Sequence, residues 1–185
     1  MLLRSAIILI LALGVSGCAK SVWAPDDAVA KAVYVSDEPP SITLVTVINN
    51  GNGSGVHSAL VINASQKVAF DPAGNFESPQ APERNDVVFG MNPLMLRAYY
   101  GFHARKEWHV ITQTKIVSAE VAEYAFQLAK DNGAVPSAFC SNSVSTLLHK
   151  VPGFESISTS MSPKTTMKHF GQLPDVVTDK IFEYD

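Results

Sequence analysis

Two cysteines and five histidines carry most of the chemistry that this 185-residue chain offers. Cys140 stands in Val135-Pro136-Ser137-Ala138-Phe139-Cys140-Ser141-Asn142, at or just before a helix start. Amide groups at a helix N-terminus favour an anion, so a thiolate is favoured there. The plainer reading of the same residue is a small buried hydrophobe. A cysteine nucleophile needs a histidine to take its proton and return it to the leaving group. His149 lies on the same helix as Cys140, too far along it to turn back. His169 falls near the end of a late helix and suits a helix C-terminus. His109 points away from Trp108 on a strand, and His103 sits in a connection; both read as surface or packing residues. His57 differs, because it opens a strand, His-Ser-Ala-Leu-Val-Ile, directly after a glycine-rich loop.

The other cysteine has a different expected fate. MLLRSAIILILALGVSGC places Arg4 before an apolar run from Ala6 to Val15, then small residues, then Cys18. That is the pattern of a secretory signal, too short for a comfortable membrane span. Val15-Ser16-Gly17-Cys18 resembles the lipobox of bacterial lipoproteins, which implies cleavage after residue 17 and a lipid on Cys18. An ordinary signal with a chance cysteine is the alternative. The lipid implies a cell-envelope location and a membrane as partner. Ala19 in place of Asp favours the outer membrane if the organism is Gram-negative. Cys140 then has no cysteine to pair with.

Composition narrows the function classes. The chain is 46% hydrophobic and 17% charged with a formal charge of -3. That is ample for a core and gives no electrostatic reason to bind nucleic acid. There is neither a CxxC pair nor an HExxH, so no metal site is expected, and the thiol chemistry needs no cofactor. GNGSG lacks the Lys-Ser/Thr of a phosphate-binding loop and leads into a strand, so a long flexible hairpin connection is expected there.

The elements that must position these residues follow from periodicity. Residues 18–40 read as the lipidated N-terminus and a tether, and 41–185 as one domain. Strands are expected over 41–48, 56–62 and 67–71, and a Pro-rich polar loop over 75–86. A short extended piece follows at 86–90. Asn92 and Pro93 start a helix ending near Tyr100. A strand runs over 108–116, Ser118 caps a helix stopping near Gly133, and further helices start at Cys140 and Pro163. Strands early and helices late make an α+β domain with a mostly antiparallel sheet packed against helices.

GVHSALVI, KVAFDPAG and, much later, FCSNSVSTLL resemble the circularly permuted NlpC-like papain superfamily. This is the branch of YaeF/YiiX-type proteins and lecithin:retinol acyltransferase, in which the histidine strand precedes the cysteine helix. The resemblance covers residues 41–170. It implies a permuted papain-like fold, Cys140 as nucleophile, His57 as base, and a third polar residue on the strand after the histidine. A hairpin closing near Asn63–Gln66 brings Asp71 opposite His57 or within a residue or two of it. There a carboxylate can orient the imidazole, although Asp71 also suits the turn it opens. Asn63 and Asn75 are substitutes for that role. The backbone N–H of Cys140 is expected in the oxyanion hole. Phe139, Tyr99, Tyr100 and Phe102 are candidates for cleft walls. The implied function is a lipid-anchored cysteine hydrolase cleaving an amide, in a peptidoglycan stem peptide or an envelope peptide. The alternatives are a lipid acyl-hydrolase or acyltransferase of the same fold and a non-catalytic envelope lipoprotein.

Overall fold

The computed structural model describes residues 19 and 21–183. The signal segment 1–17 and the expected lipidation site Cys18 lie outside the described residues. Seven strands form one antiparallel sheet with two helical layers against it, an α+β architecture. In chain order these are α1 (Asp26–Ala32), β1 (Ser41–Asn49), β2 (Gly55–Asn63), β3 (Lys67–Phe70), β4 (Glu83–Arg84) and β5 (Val87–Val88). They continue with α2 (Pro93–His103), β6 (Trp108–Ile116), α3 (Ala119–Asp131), α4 (Cys140–His149), α5 (Pro163–Phe170) and β7 (Val177–Ile181). The sheet order is β4-β5-β3-β2-β1-β6-β7.

β1 explains its own central place. SITLVTVIN is apolar at nearly every position, which a strand tolerates only when both faces are covered. Ile42 and Leu44 point into a core with Leu60, Ile62, Phe70 and the buried residues of α3, α4 and α5. Val45 and Val47 point the other way, toward Ala59, Val61 and, from α2, Met95 and Tyr99. The period of two thus assigns three helices to one face and α2 to the other.

Two local features shape the end of β2 that carries His57. Val47 pairs with His57 but Ile48 pairs with Gly55, which leaves Val56 as an extra residue in a β-bulge. A bulge re-aims the side chains beside it. Gly55 is required by the approach of α5, because a Cβ there would lie 2.8 Å from the Pro163 Cβ and 2.9 Å from the Lys164 backbone nitrogen. The loop before it, expected to be a flexible connection, is braced. The Asn49 side chain accepts from Gly51 and Asn52 N–H groups, and Asn50 bonds both Lys106 and His109.

The stretch expected as a tether runs along the domain instead. Ala24 N–H donates to Glu83, Tyr34 C=O accepts from Lys67, and Lys67 pairs with Glu38. Short amphipathic pieces such as α1 show little periodicity, which is why composition alone reads them as linker. β7 has no counterpart in the sequence reading either. It is an edge strand exposed along most of its length, so no alternation marks it.

Candidate active site

The geometry around Cys140 begins with an incomplete ladder. β2 pairs with β3 only over Leu60–Asn63, so the earlier half of β2 has no strand on that side. The start of α4 meets this open edge. The backbone N–H groups of Ser58 on β2 and of Ser141 in the first helical turn lie near enough to the Cys140 thiol to favour its ionised form. Phe139, the N-cap, makes no side-chain cap bond and the first turn carries no acidic residue, so neither competes with an anion for the helix-end N–H groups. Ala138, two residues ahead of the thiol, takes a φ of 71°, a left-handed conformation that turns the chain sharply into α4. Cys140 itself is buried and free.

His57, Ala59 and Val61 alternate on the α2 face of β2, and Asp71 extends β3 on the same face as Ala69. That places the carboxylate within diagonal reach of the imidazole. Asp71 Oδ1 is 2.6 Å from His57 Nε2 and also accepts a 2.9 Å hydrogen bond from the Tyr99 hydroxyl. With Nε2 engaged, Nδ1 is the ring nitrogen left for Cys140, and the thiol and imidazole lie close enough to shift each other's titration. Asp71 is held against its own turn, whose Gly74 N–H donates to the Asp71 carbonyl. It therefore fills both of the roles read from the sequence, turn residue and neighbour of His57.

Electrostatics follow from these contacts. Burial pushes the Cys140 thiol up, but His57 and the Ser58 and Ser141 N–H groups outweigh it and hold the thiol below its ordinary value. Burial lowers His57, while Asp71 and Cys140 outweigh it and raise the imidazole to about 10. Asp71 is raised by burial and lowered more strongly by His57, His103 and Tyr99. These contacts favour the ionised thiol beside a charged imidazole that is anchored on a carboxylate.

His103 is the residue that sequence reasoning missed. α2 runs one turn beyond Tyr100, so His103 closes the helix instead of sitting in a connection. It packs against His57 with ring centroids 5.3 Å apart and planes at 17°. The signal was its spacing of four from Tyr99, which places both on one helical face. His57, Asp71 and His103 present ligand atoms within 4.8 Å of one another. Two ligands sharing a zinc ion at about 2.0–2.1 Å stand roughly 3.3 Å apart in tetrahedral geometry. The 2.6 Å between His57 and Asp71 is instead the distance of a shared proton, and the raised imidazole holds that proton firmly.

The other sequence candidates lie elsewhere. Asn63 bonds the Glu38 and Pro39 carbonyls, His109 bonds Asn50, His149 bonds the Ile157 carbonyl, and His169 sits in the last turn of α5. Asn75 lies on the rim of a cleft of about 320 Å³ whose walls include His57, His103, Val56, Phe102 and Trp108. Phe139 is partly exposed beside Cys140, Tyr99 is fully buried, and Tyr100 faces a different hollow. That hollow is larger, about 560 Å³, but is walled by Glu38, Lys67, Leu96 and Arg97 and holds no cysteine or histidine. The smaller cleft is the one lined by His57 and His103, although Cys140 is not among its lining residues. Among the described residues, no helix is long and apolar enough to cross a membrane. The chain matches no protein-family model, no curated protein and no solved structure.

Proposed function

We propose that the protein is a cysteine hydrolase of the permuted NlpC-like, papain-like class, anchored in the cell envelope through lipid on Cys18. The observation that carries this reading is the 2.6 Å pairing of His57 with Asp71 beside the Cys140 thiol at the start of α4. The order of His57 before Cys140 on an antiparallel sheet supports the class. The Cys140 thiolate attacks an acyl carbon, and the His57 imidazolium gives its proton to the departing amine or alkoxide. Neutral His57 then takes a proton from water, whose oxygen attacks the thioester, and the thiol is released. Asp71 holds the imidazole orientation through both steps. The Cys140 N–H at the uncapped helix start is available to the oxyanion.

The substrate is an amide reachable from a membrane surface, in a peptidoglycan stem peptide or an envelope peptide. The cleft walled by Val56, Phe102 and Trp108 favours a second reading, an acyl-hydrolase or acyltransferase acting on lipid esters. Iodoacetamide is expected to label Cys140 in the native protein markedly faster at neutral pH than it labels a model thiol. His57→Ala is expected to slow that labelling at least about tenfold, one pKa unit or more, and His149→Ala to leave it unchanged. Labelling that requires denaturation sinks the nucleophile. Mass spectrometry of products after incubation with wall sacculi, and separately with phospholipid vesicles, distinguishes the two substrate readings.

A further inference from the structure

Asp71 and His103 both lie against the His57 imidazole, and His103 has no task in the hydrolytic scheme. Tyr99 and His103 project from one face of α2, a helical turn apart. Tyr99 bonds Asp71, whereas the His103 ring lies nearly parallel to that of His57, 5.3 Å away. Tyr99 and Phe102 meet His103 edge-on, with centroids at 4.7 and 5.1 Å and planes at 76° and 84°. The ring cannot turn without displacing an aromatic neighbour. Its Nε2 is buried with no hydrogen-bond partner, 4.0 Å from Asp71 Oδ2. A histidine kept only for structure would bond through that nitrogen, because a bare buried nitrogen costs stability. What this position uses is the ring face.

We propose that His103 is a positioning residue for the thiol chemistry, its ring laid against His57 to hold the imidazolium where Nε2 meets Asp71 and Nδ1 faces Cys140. The proposal rests on the hydrolase reading above. An aromatic face within about 6 Å of a cation attracts it, so the stack favours the charged form of His57. The same ring keeps water from the Asp71 carboxylate, which strengthens the His57–Asp71 bond. The groups facing His103 are Asp71 after β3, His57 on β2, Tyr99 on α2 and Arg105 just beyond α2. Burial lowers His103 to about 4, with Asp71 opposing and His57 and Arg105 adding to the shift. It is therefore uncharged where His57 is charged, and no second cation competes for Asp71.

The test is the pH profile of Cys140 alkylation by iodoacetamide in the full chain, for wild type, His103→Phe and His103→Leu. Phenylalanine keeps a ring face, and leucine fills the space without one. The leucine variant is expected to move the profile midpoint up by about one unit and to slow labelling at neutral pH about tenfold. The phenylalanine variant is expected to stay within about twofold of wild type. A leucine profile that overlays wild type, or a folded phenylalanine variant as slow as leucine, overturns the proposal. If the leucine variant does not fold, His103→Met serves as the aliphatic arm with the same expectation. Wild-type Cys140 no faster than a model thiol overturns the hydrolase reading and this proposal together, and that outcome is seen before any variant is made.

Discussion

At the residue scale, the pairing of His57 with Asp71 depends on a neighbour that has no side chain. A Cβ on Gly74 would stand 1.9 Å from Asp71 Oδ2, closer than any two such atoms approach, so the turn after β3 closes over the carboxylate only with glycine there. Gly74→Ala must therefore push either the turn or the carboxylate, and the carboxylate is the one held by only two hydrogen bonds, to His57 and Tyr99. Loss of those bonds lowers His57 and lets the Cys140 thiol rise toward its ordinary value. Iodoacetamide labelling of Gly74→Ala at neutral pH is expected to fall at least about tenfold, matching Asp71→Asn. A Gly74→Ala rate equal to wild type, beside a slow Asp71→Asn, shows that the turn yields and the carboxylate does not.

At the element scale, α4 is a buried helix written in serines, and each hydroxyl has a partner. Ser141 meets Thr166 of α5 at 2.9 Å, Ser143 donates to Asn132, and Ser145 both donates to the Ser141 carbonyl and accepts from Ser160 N–H. These bonds fix the rotation of the helix that carries Cys140, a task that apolar packing alone performs loosely. Thr166→Val keeps the shape but strands the buried Ser141 hydroxyl, and is expected to cost about 1–3 kcal/mol in chemical denaturation. A change under about 0.5 kcal/mol would mean that Ser141 finds another acceptor. The sequence made α4 legible through Val144, Leu147 and Leu148 at helical spacing, and it made β1, β2 and β6 legible through their apolar runs. The hairpin arithmetic that brings Asp71 near His57 was legible too, because antiparallel register leaves little freedom once the turn is placed. His103 was not, since the further turn of α2 after Tyr100 carries no capping signal in the sequence and closes on a backbone bond from the Ala104 N–H to the Tyr100 carbonyl. Nor were α1 and β7, whose burial is one-sided or slight, so that no period of two or of 3.6 develops.

At the scale of the whole molecule, the site leaves a signature in the pH dependence of stability. His57 is raised to about 10 from an ordinary 6.5, so by itself it adds stability that is complete below pH 6.5 and lost as pH rises through 10. Cys140 is lowered from an ordinary 9.0, so by itself it adds stability that is complete above pH 9.0 and lost as pH falls through its native value. At any pH between 6.5 and 9.0 that also lies above the native value of Cys140, the native pair holds one proton, on His57, and the unfolded pair also holds one, on Cys140. Equal proton numbers mean no slope, so these two residues contribute a plateau across that window. Above pH 9.0 the unfolded thiol loses its proton while His57 keeps one, and stability falls; below pH 6.5 the unfolded pair binds two, and stability falls again. Asp71, lowered in the native state, steepens the acid side further as pH drops through its native value. Cys140→Ser removes one titration and the thiol's share of the rise in His57 but leaves the Asp71 bond, so wherever His57 still stands above 6.5 the plateau is replaced by a descent beginning near pH 6.5, the point at which unfolded histidine gives up its proton. The expected slope approaches about 1.4 kcal/mol per pH unit, the value for one proton. Urea denaturation of wild type and Cys140→Ser at intervals from pH 5 to pH 10 reads the difference directly. A serine variant that keeps the flat window shows that the Asp71 bond alone does not hold the charge on His57.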